Sequence, residues 1–114
     1  MTSTAWLLRD GQVLANAEVA ATYGERMRGL LGRTGLDGAI ILPRTRSVHS
    51  LGMRFAIDVA FLDRRLTVID VVCLEPWRAT RPRWRARSVL EAEAGAFDRW
   101  GLKAGDTLEL RGPP

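Results

Sequence analysis

The sequence predicts an α+β domain built on a mainly antiparallel sheet or partly closed β-barrel, with two short helices. Three observations carry this. Short runs rich in β-branched and aromatic residues alternate with turn signals along most of the chain. Only two segments have helical spacing, too few to cover both faces of a parallel sheet. The 114 residues, 46% hydrophobic and 26% charged, match the size and apolar content of one globular domain spanning 1–114.

The elements follow in order. Trp6–Arg9 and Gln12–Ala15 flank Asp10-Gly11, a pair that accepts the positive φ of a tight hairpin turn. Glu18–Ala21 then leads into a helix from Thr22 to Gly32. Thr22 and Glu25 form a capping box, each side chain satisfying an N–H of the first turn. Tyr23, Met27, Leu30 and Leu31 make its apolar face, and Gly32 ends it. Ala39–Leu42 reads as a short buried strand closed by Pro43, and Arg44–Gly52 as a polar loop. Phe55–Leu62 and Leu66–Leu74 are the two best strands, joined at Asp63-Arg64-Arg65. Glu75–Arg87 is irregular, broken by Pro76 and Pro82. Ser88–Glu93 is a strand, Ala94–Trp100 a short helix before Gly101, and Thr107–Leu110 a closing strand.

Composition removes several function classes. One cysteine, Cys73, and one histidine, His49, cannot build a disulfide framework, a zinc cluster or a multi-thiolate iron site, so no metal and no cofactor are expected. Cys73 lies in an apolar run, where a thiol is usually inert filler. No signal peptide or membrane-spanning run is read, and the expected location is cytoplasmic. Of the 17 basic residues only Lys103 is lysine, and the excess over 13 acids gives +4. Residues 76–88 hold five arginines and no acid, so this one segment exceeds the charge of the whole chain.

Asp58 is the most informative residue. In Phe55–Leu62 both alternating faces are apolar except for this carboxylate between Val59 and Ile57, with Ala56 and Ala60 on its own face. That pattern marks a central strand covered on both sides. A buried carboxylate needs backbone N–H donors or a cation, and the expected beneficiary is the Arg44–Gly52 loop. A three-residue hairpin loop would pair Leu62 with Leu66 and bring Asp58 opposite Asp70, raising one pKa. His49, in the preceding loop, can act as base, donor or ligand contact.

The segment Pro76–Arg87 carries a second possibility. If extended, it places Arg81, Arg83, Arg85 and Arg87 on one side and Trp84 on the other. Together with Arg78 these residues could grip phosphate and stack a base. The alternative is a solvated arginine-rich loop whose tryptophans pack on the barrel.

Four blocks resemble a known family. Glu25-Arg26-Met27-Arg28-Gly29-Leu30-Leu31-Gly32-Arg33 is similar to an "E-R-x-x-G-L-M-x-R" helix. His49–Asp63 is similar to a loop with a recurring Met followed by "[IL]-D-[VI]-x-F". Val89–Gly95 resembles "V-L-E-x-x-A-G", and Gly101–Asp106 resembles "G-[IL]-x-x-G-D". In this order, over about residues 22–110, they resemble the prokaryotic domain-of-unknown-function family numbered 192. The resemblance implies a compact, mainly β domain and no established activity. It maps Arg26, Met53, Asp58, Glu91 and Gly95 onto recurring positions, and implies a polar network of Arg26 or Arg33 with Asp58 and Glu91. Two departures stand out: His49-Ser50-Leu51-Gly52-Met53 replaces the common "W-M-x-N-T", and Arg65 replaces the usual turn Gly.

The leading expectation is therefore a non-enzymatic binding or accessory module. Its site would comprise His49, Met53, Arg54, Asp58 and Glu91, and would take a small anionic ligand or a partner protein. The second reading is nucleic-acid binding through Arg78, Arg81, Arg83, Trp84, Arg85 and Arg87. The third is a hydrolase or isomerase using Asp58 and His49. None of the three involves a membrane.

Overall fold

The computed structural model describes residues 3–20, 22, 24, 26, 30, 35 and 38–112. Within these, seven strands form one sheet: β1 (Ser3–Arg9), β2 (Gln12–Val19), β3 (Ala39–Pro43), β4 (Ile57–Leu62), β5 (Val68–Leu74), β6 (Ser88–Glu93) and β7 (Glu109–Arg111). One short helix, α1 (Ala96–Trp100), follows β6. The sheet order is β5-β4-β6-β3-β2-β1-β7.

The Asp10-Gly11 turn forms as expected, with φ of 52° and 78° at its two residues, and β2 runs on to Val19. Every position of β4 is buried, as the two apolar faces of Phe55–Leu62 require of a central strand. Side chains alternate between the two faces of the sheet, and each face carries its own core. Ala60, Leu62, Leu90 and Ala92 pack on one face with Leu7 and Phe97. Val59, Phe61, Val89 and Ile40 pack on the other with Leu30, Val48 and Met53.

The sheet is mainly antiparallel, as expected, and is mixed through one pair, β2 with β3, which runs parallel. It stays open rather than closing into a barrel: β5 and β7 are its two ends, and among the described residues the backbone between them is linked by the isolated bridge Thr67↔Thr107 and its flanking bonds. Of the two expected helices only α1 is fully described. In the first, Gly24, Arg26 and Leu30 are helical, and Tyr23, Glu25, Met27, Gly29, Leu31 and Gly32 lie outside the described residues. No described helix is long and apolar enough to cross a membrane.

Candidate functional site

One end of the sheet gathers positive charge, and the register explains why. Ser88, the first residue of β6, pairs with Pro43 at the end of β3 and with Leu62 at the end of β4. Three adjacent strands thus start or stop in one row. The segments just beyond them carry Arg44 and Arg46, Arg64 and Arg65, and Arg85 and Arg87. All six are exposed, and among the described residues none is ion-paired.

Two concavities join there through Arg87. One, about 290 Å³, is lined by Arg44, Arg46, Ala86 and Arg87. The other, about 380 Å³, is lined by Asp63, Arg64, Arg65, Trp84, Arg85 and Arg87. Asp63 is the one acid among them, and its Oδ1 accepts the N–H groups of Arg65 and Thr67 at 2.8 and 3.0 Å. Six guanidiniums against one carboxylate leave +5, more than the +4 of the entire chain, so the remainder is net −1. The field of the molecule therefore points from this end.

The segment is held firmly. The Arg87 N–H donates to Leu62 O at 2.7 Å, and Arg83 N–H donates to Arg46 O at 2.9 Å. Arg46 Nε donates to Ala86 O at 3.3 Å. The Ala86 N–H donates to Arg83 O at 2.9 Å, closing a turn with Trp84 and Arg85 at its corners. Arg83 itself points inward. Its Nε and terminal nitrogen donate to Asp70 Oδ2 at 3.1 and 2.9 Å, and its guanidinium lies 4.5 Å over the Phe61 ring.

The expected arginine stripe is accordingly redistributed. Arg83 is spent on Asp70, and Arg81 faces another shallow depression with Val72, Cys73 and Leu74. Arg78 is exposed beside the Ser50 loop, where its carbonyl accepts the Ser50 N–H at 2.8 Å. Only Trp84, Arg85 and Arg87 remain, joined by Arg44, Arg46, Arg64 and Arg65. The tryptophans do not pack on the sheet: Trp77 is 66% and Trp84 75% exposed. The sequence did hold a signal for the four added arginines, since an Arg pair lies just outside each of three strand ends.

The other expected site residues do not form one group. Asp58 pairs across the sheet with Cys73 and Ala92, whereas Glu91 pairs with Val59. The two carboxylates therefore face opposite sides of the sheet. Asp58 Oδ2 accepts the N–H groups of Gly95 and Phe97 at 3.0 and 3.1 Å, so it anchors the start of α1 rather than the Arg44–Gly52 loop. Asp70 pairs with Phe61, which removes the carboxylate dyad: the turn closes on Asp63 and Thr67, setting Val68 rather than Leu66 opposite Leu62, and a bulge between Phe61 and Leu62 shifts the register by one more residue. Cys73 is exposed on β5. Partial burial, then the Asp58 and Glu75 charges, push its thiol up, so the thiolate is disfavoured.

On the opposite face, Arg26 and Glu91 form a fully buried pair. Arg26 Nε donates to Oε1 at 2.8 Å and its terminal nitrogen to Oε2 at 2.5 Å. Burial pushes the Glu91 carboxyl up against the opposing pull of Arg26. Met53 is buried in the core on this face, and Arg54 is exposed. His49 forms an isolated bridge with Ala79, and its Nδ1 accepts the Leu51 N–H at 3.2 Å. Burial and the Arg26 charge lower its pKa, which favours the neutral ring. Arg33 lies outside the described residues. Among those described, no group of three potential metal ligands occurs.

Comparison with known proteins accords with this fold. The family model DUF192, described as "Uncharacterized ACR", matches residues 5–110. A UPF0127 protein of Pyrococcus abyssi is 36% identical over 97 residues, 81% of this chain and 83% of that one. A UPF0127 protein of Thermococcus sibiricus is 34% identical over 98 residues, 81% of this chain and 64% of its own length. The match to a UPF0127 protein of Pyrococcus furiosus, 41% identical over 63 residues, spans about half of either chain, 55% and 54%. Among solved structures, a Sinorhizobium meliloti protein proposed to be a transcription regulator superposes with TM-score 0.74. Its identity is 23%, with 96% and 94% of the two chains covered. A protein of unknown function from Novosphingobium aromaticivorans gives 0.71 at 20% identity, with 95% and 84% covered.

Proposed function

We propose that this chain, which belongs to the DUF192 family of uncharacterised proteins, is a binding module that holds an anionic ligand at its arginine end. The observation that carries this is the delivery of six exposed arginines, without a paired acid, by three adjacent strand ends. Crowded like charges repel one another and destabilise the compact state, and an anionic ligand relieves that repulsion. Guanidinium forks match phosphate or carboxylate oxygens two at a time. Arginine dominates the walls of both concavities, with Ala86 in one and Trp84 in the other as the apolar side chains beside it, whereas a small organic ligand is usually held in a mostly apolar pocket. An extended polyanion fits better.

Acid–base chemistry at Asp58 is less well supported. Its Oδ2 is committed to two backbone N–H groups of the α1 start, and His49 belongs to the loop packed, through Val48 and Met53, on the opposite face.

The test is a titration of the intact chain with inorganic polyphosphate across a range of salt concentrations. Binding should weaken with salt at a log–log slope of about 0.7–0.9 per phosphate contact. Replacing Arg64, Arg65 and Arg85 together with Gln should lower that slope by about two to three and leave thermal stability unchanged, since all three are exposed. Absence of binding at low salt, or an unchanged slope in the triple variant, would refute the reading.

A further inference from the structure

We infer that the anion taken at the arginine end is the phosphate backbone of a single-stranded nucleic acid, with one base stacked on Trp84. This rests on the anion-binding reading and goes beyond it by naming the polymer. Trp84 is 75% exposed yet lines the same concavity as Arg64, Arg65, Arg85 and Arg87. An indole in water among guanidiniums asks for a ligand that is both charged and flat. Phosphates supply the first and unstacked bases the second, because every base has a π-face that an aromatic ring can cover.

The backbone that carries Trp84 is tied down. Trp84 occupies a corner of the turn closed by the bond from Ala86 N–H to Arg83 O. The residue before it is clamped by Asp70 and Phe61. The backbone of this turn then needs no further ordering on binding.

Two features favour a single strand over a duplex. In a duplex the bases are already stacked on one another, so none is free to cover the indole. Reading base edges in a duplex also needs a helix or ribbon to enter the major groove, and the arginine end is made of turns. The described helix α1 follows Glu93, whereas the arginines flank Ser88 at the other end of β6. The row Pro43–Ser88–Leu62 spans two inter-strand spacings, about 10 Å, the length of roughly three stacked nucleotides. An acidic peptide would meet the arginines but offers no regular series of flat rings to the indole.

The experiment compares three probes on the intact chain at low salt: an oligothymidylate of about eight nucleotides, a DNA duplex, and inorganic polyphosphate. Trp84→Ala should weaken oligothymidylate binding about tenfold or more and leave polyphosphate unaffected, with Trp84→Phe retaining most of the affinity. Trp77→Ala, which removes another exposed indole, beside Ser50, should change nothing. If polyphosphate or the duplex binds as tightly as the oligothymidylate, or Trp84→Ala weakens all three equally or none, the single-strand inference falls while anion binding stands. If none of the probes binds, both fall together.

Discussion

A carboxylate with no accessible surface can stay charged only if its counter-charge is built into the fold, and Glu91 meets that condition through Arg26. Their side chains are both 0% exposed, and the two parallel bonds satisfy both carboxylate oxygens. Such a pair is weak evidence of net stabilisation, because both ions were taken out of water. Breaking it is another matter. Arg26→Met should leave an uncompensated buried carboxylate and destabilise the domain by about 3–5 kcal/mol, read as a shift in the urea midpoint. The loss should shrink at acid pH, where Glu91 escapes its charge by taking a proton, and adding Glu91→Leu should recover much of it. A loss below about 1 kcal/mol for Arg26→Met at neutral pH would mean that Glu91 is already protonated or that water reaches it.

A five-residue helix such as α1 lies far below the length at which helices persist alone, so what holds it must come from outside. Phe97 and Ala96 are buried, and Asp58 reaches across from β4 to the N–H groups of Gly95 and Phe97. It does the work of an N-cap side chain, since Gly95 at the cap position has none to offer. Asp58→Ala should cost about 1–2 kcal/mol and raise amide exchange at Gly95 and Phe97 before that of β4 and β6. Uniform exchange across the sheet would show that the anchor is not local. Asp58 also marks the limit of sequence reading at this scale. Its burial and its need for N–H donors were legible in the apolar faces around it. Which element would donate was not, because alternation gives a strand its faces but not its neighbours. Ser88–Glu93 and the Asp10-Gly11 turn were readable from local chemistry alone. The parallel pairing of β2 with β3 was not, nor was the hairpin register: the turn closes on Asp63 and Thr67, two residues later than Leu62 with Leu66 requires, and the bulge at Phe61 adds one more, so Asp58 meets Cys73 instead of Asp70. The Arg pairs beyond the strand ends were legible, but that they meet was not, for the same reason. The arginine end is assembled from β3, β4 and β6, which are adjacent in the sheet but distant in the chain, while Arg83 loses its place to an Asp70 supplied by β5.

At the scale of the molecule, the open sheet has two ends to secure, and the last turn before β7 brings them together. Val68 N–H donates to Asp106 O at 2.7 Å, Gly105 N–H to Val68 O at 2.8 Å, and Leu108 N–H to Leu66 O at 2.9 Å. The hydroxyls of Thr67 and Thr107 share a bond of 2.8 Å. Asp106 ties this seam to β1: its Oδ2 accepts from Arg9 at 3.1 Å and from the Lys103 N–H at 3.0 Å, and its Oδ1 from Lys103 Nζ at 3.2 Å. Burial alone would raise this carboxyl, but the bonds from Lys103 and Arg9 outweigh it and hold the pKa below the ordinary 3.8. A carboxylate with a depressed folded pKa stabilises the fold at every pH above its unfolded value. That contribution is lost as pH falls through the folded one, because the unfolded chain binds the proton first. Acid titration of thermal stability should therefore show a decline that begins near 3.8 and continues below it, with Asp106→Asn less stable than wild type at neutral pH and flatter in that acid range. The two curves should converge once Asp106 is protonated. Parallel curves would mean that the seam between β5 and β7 is held by its backbone bonds alone and that the charge on Asp106 contributes nothing to closing it.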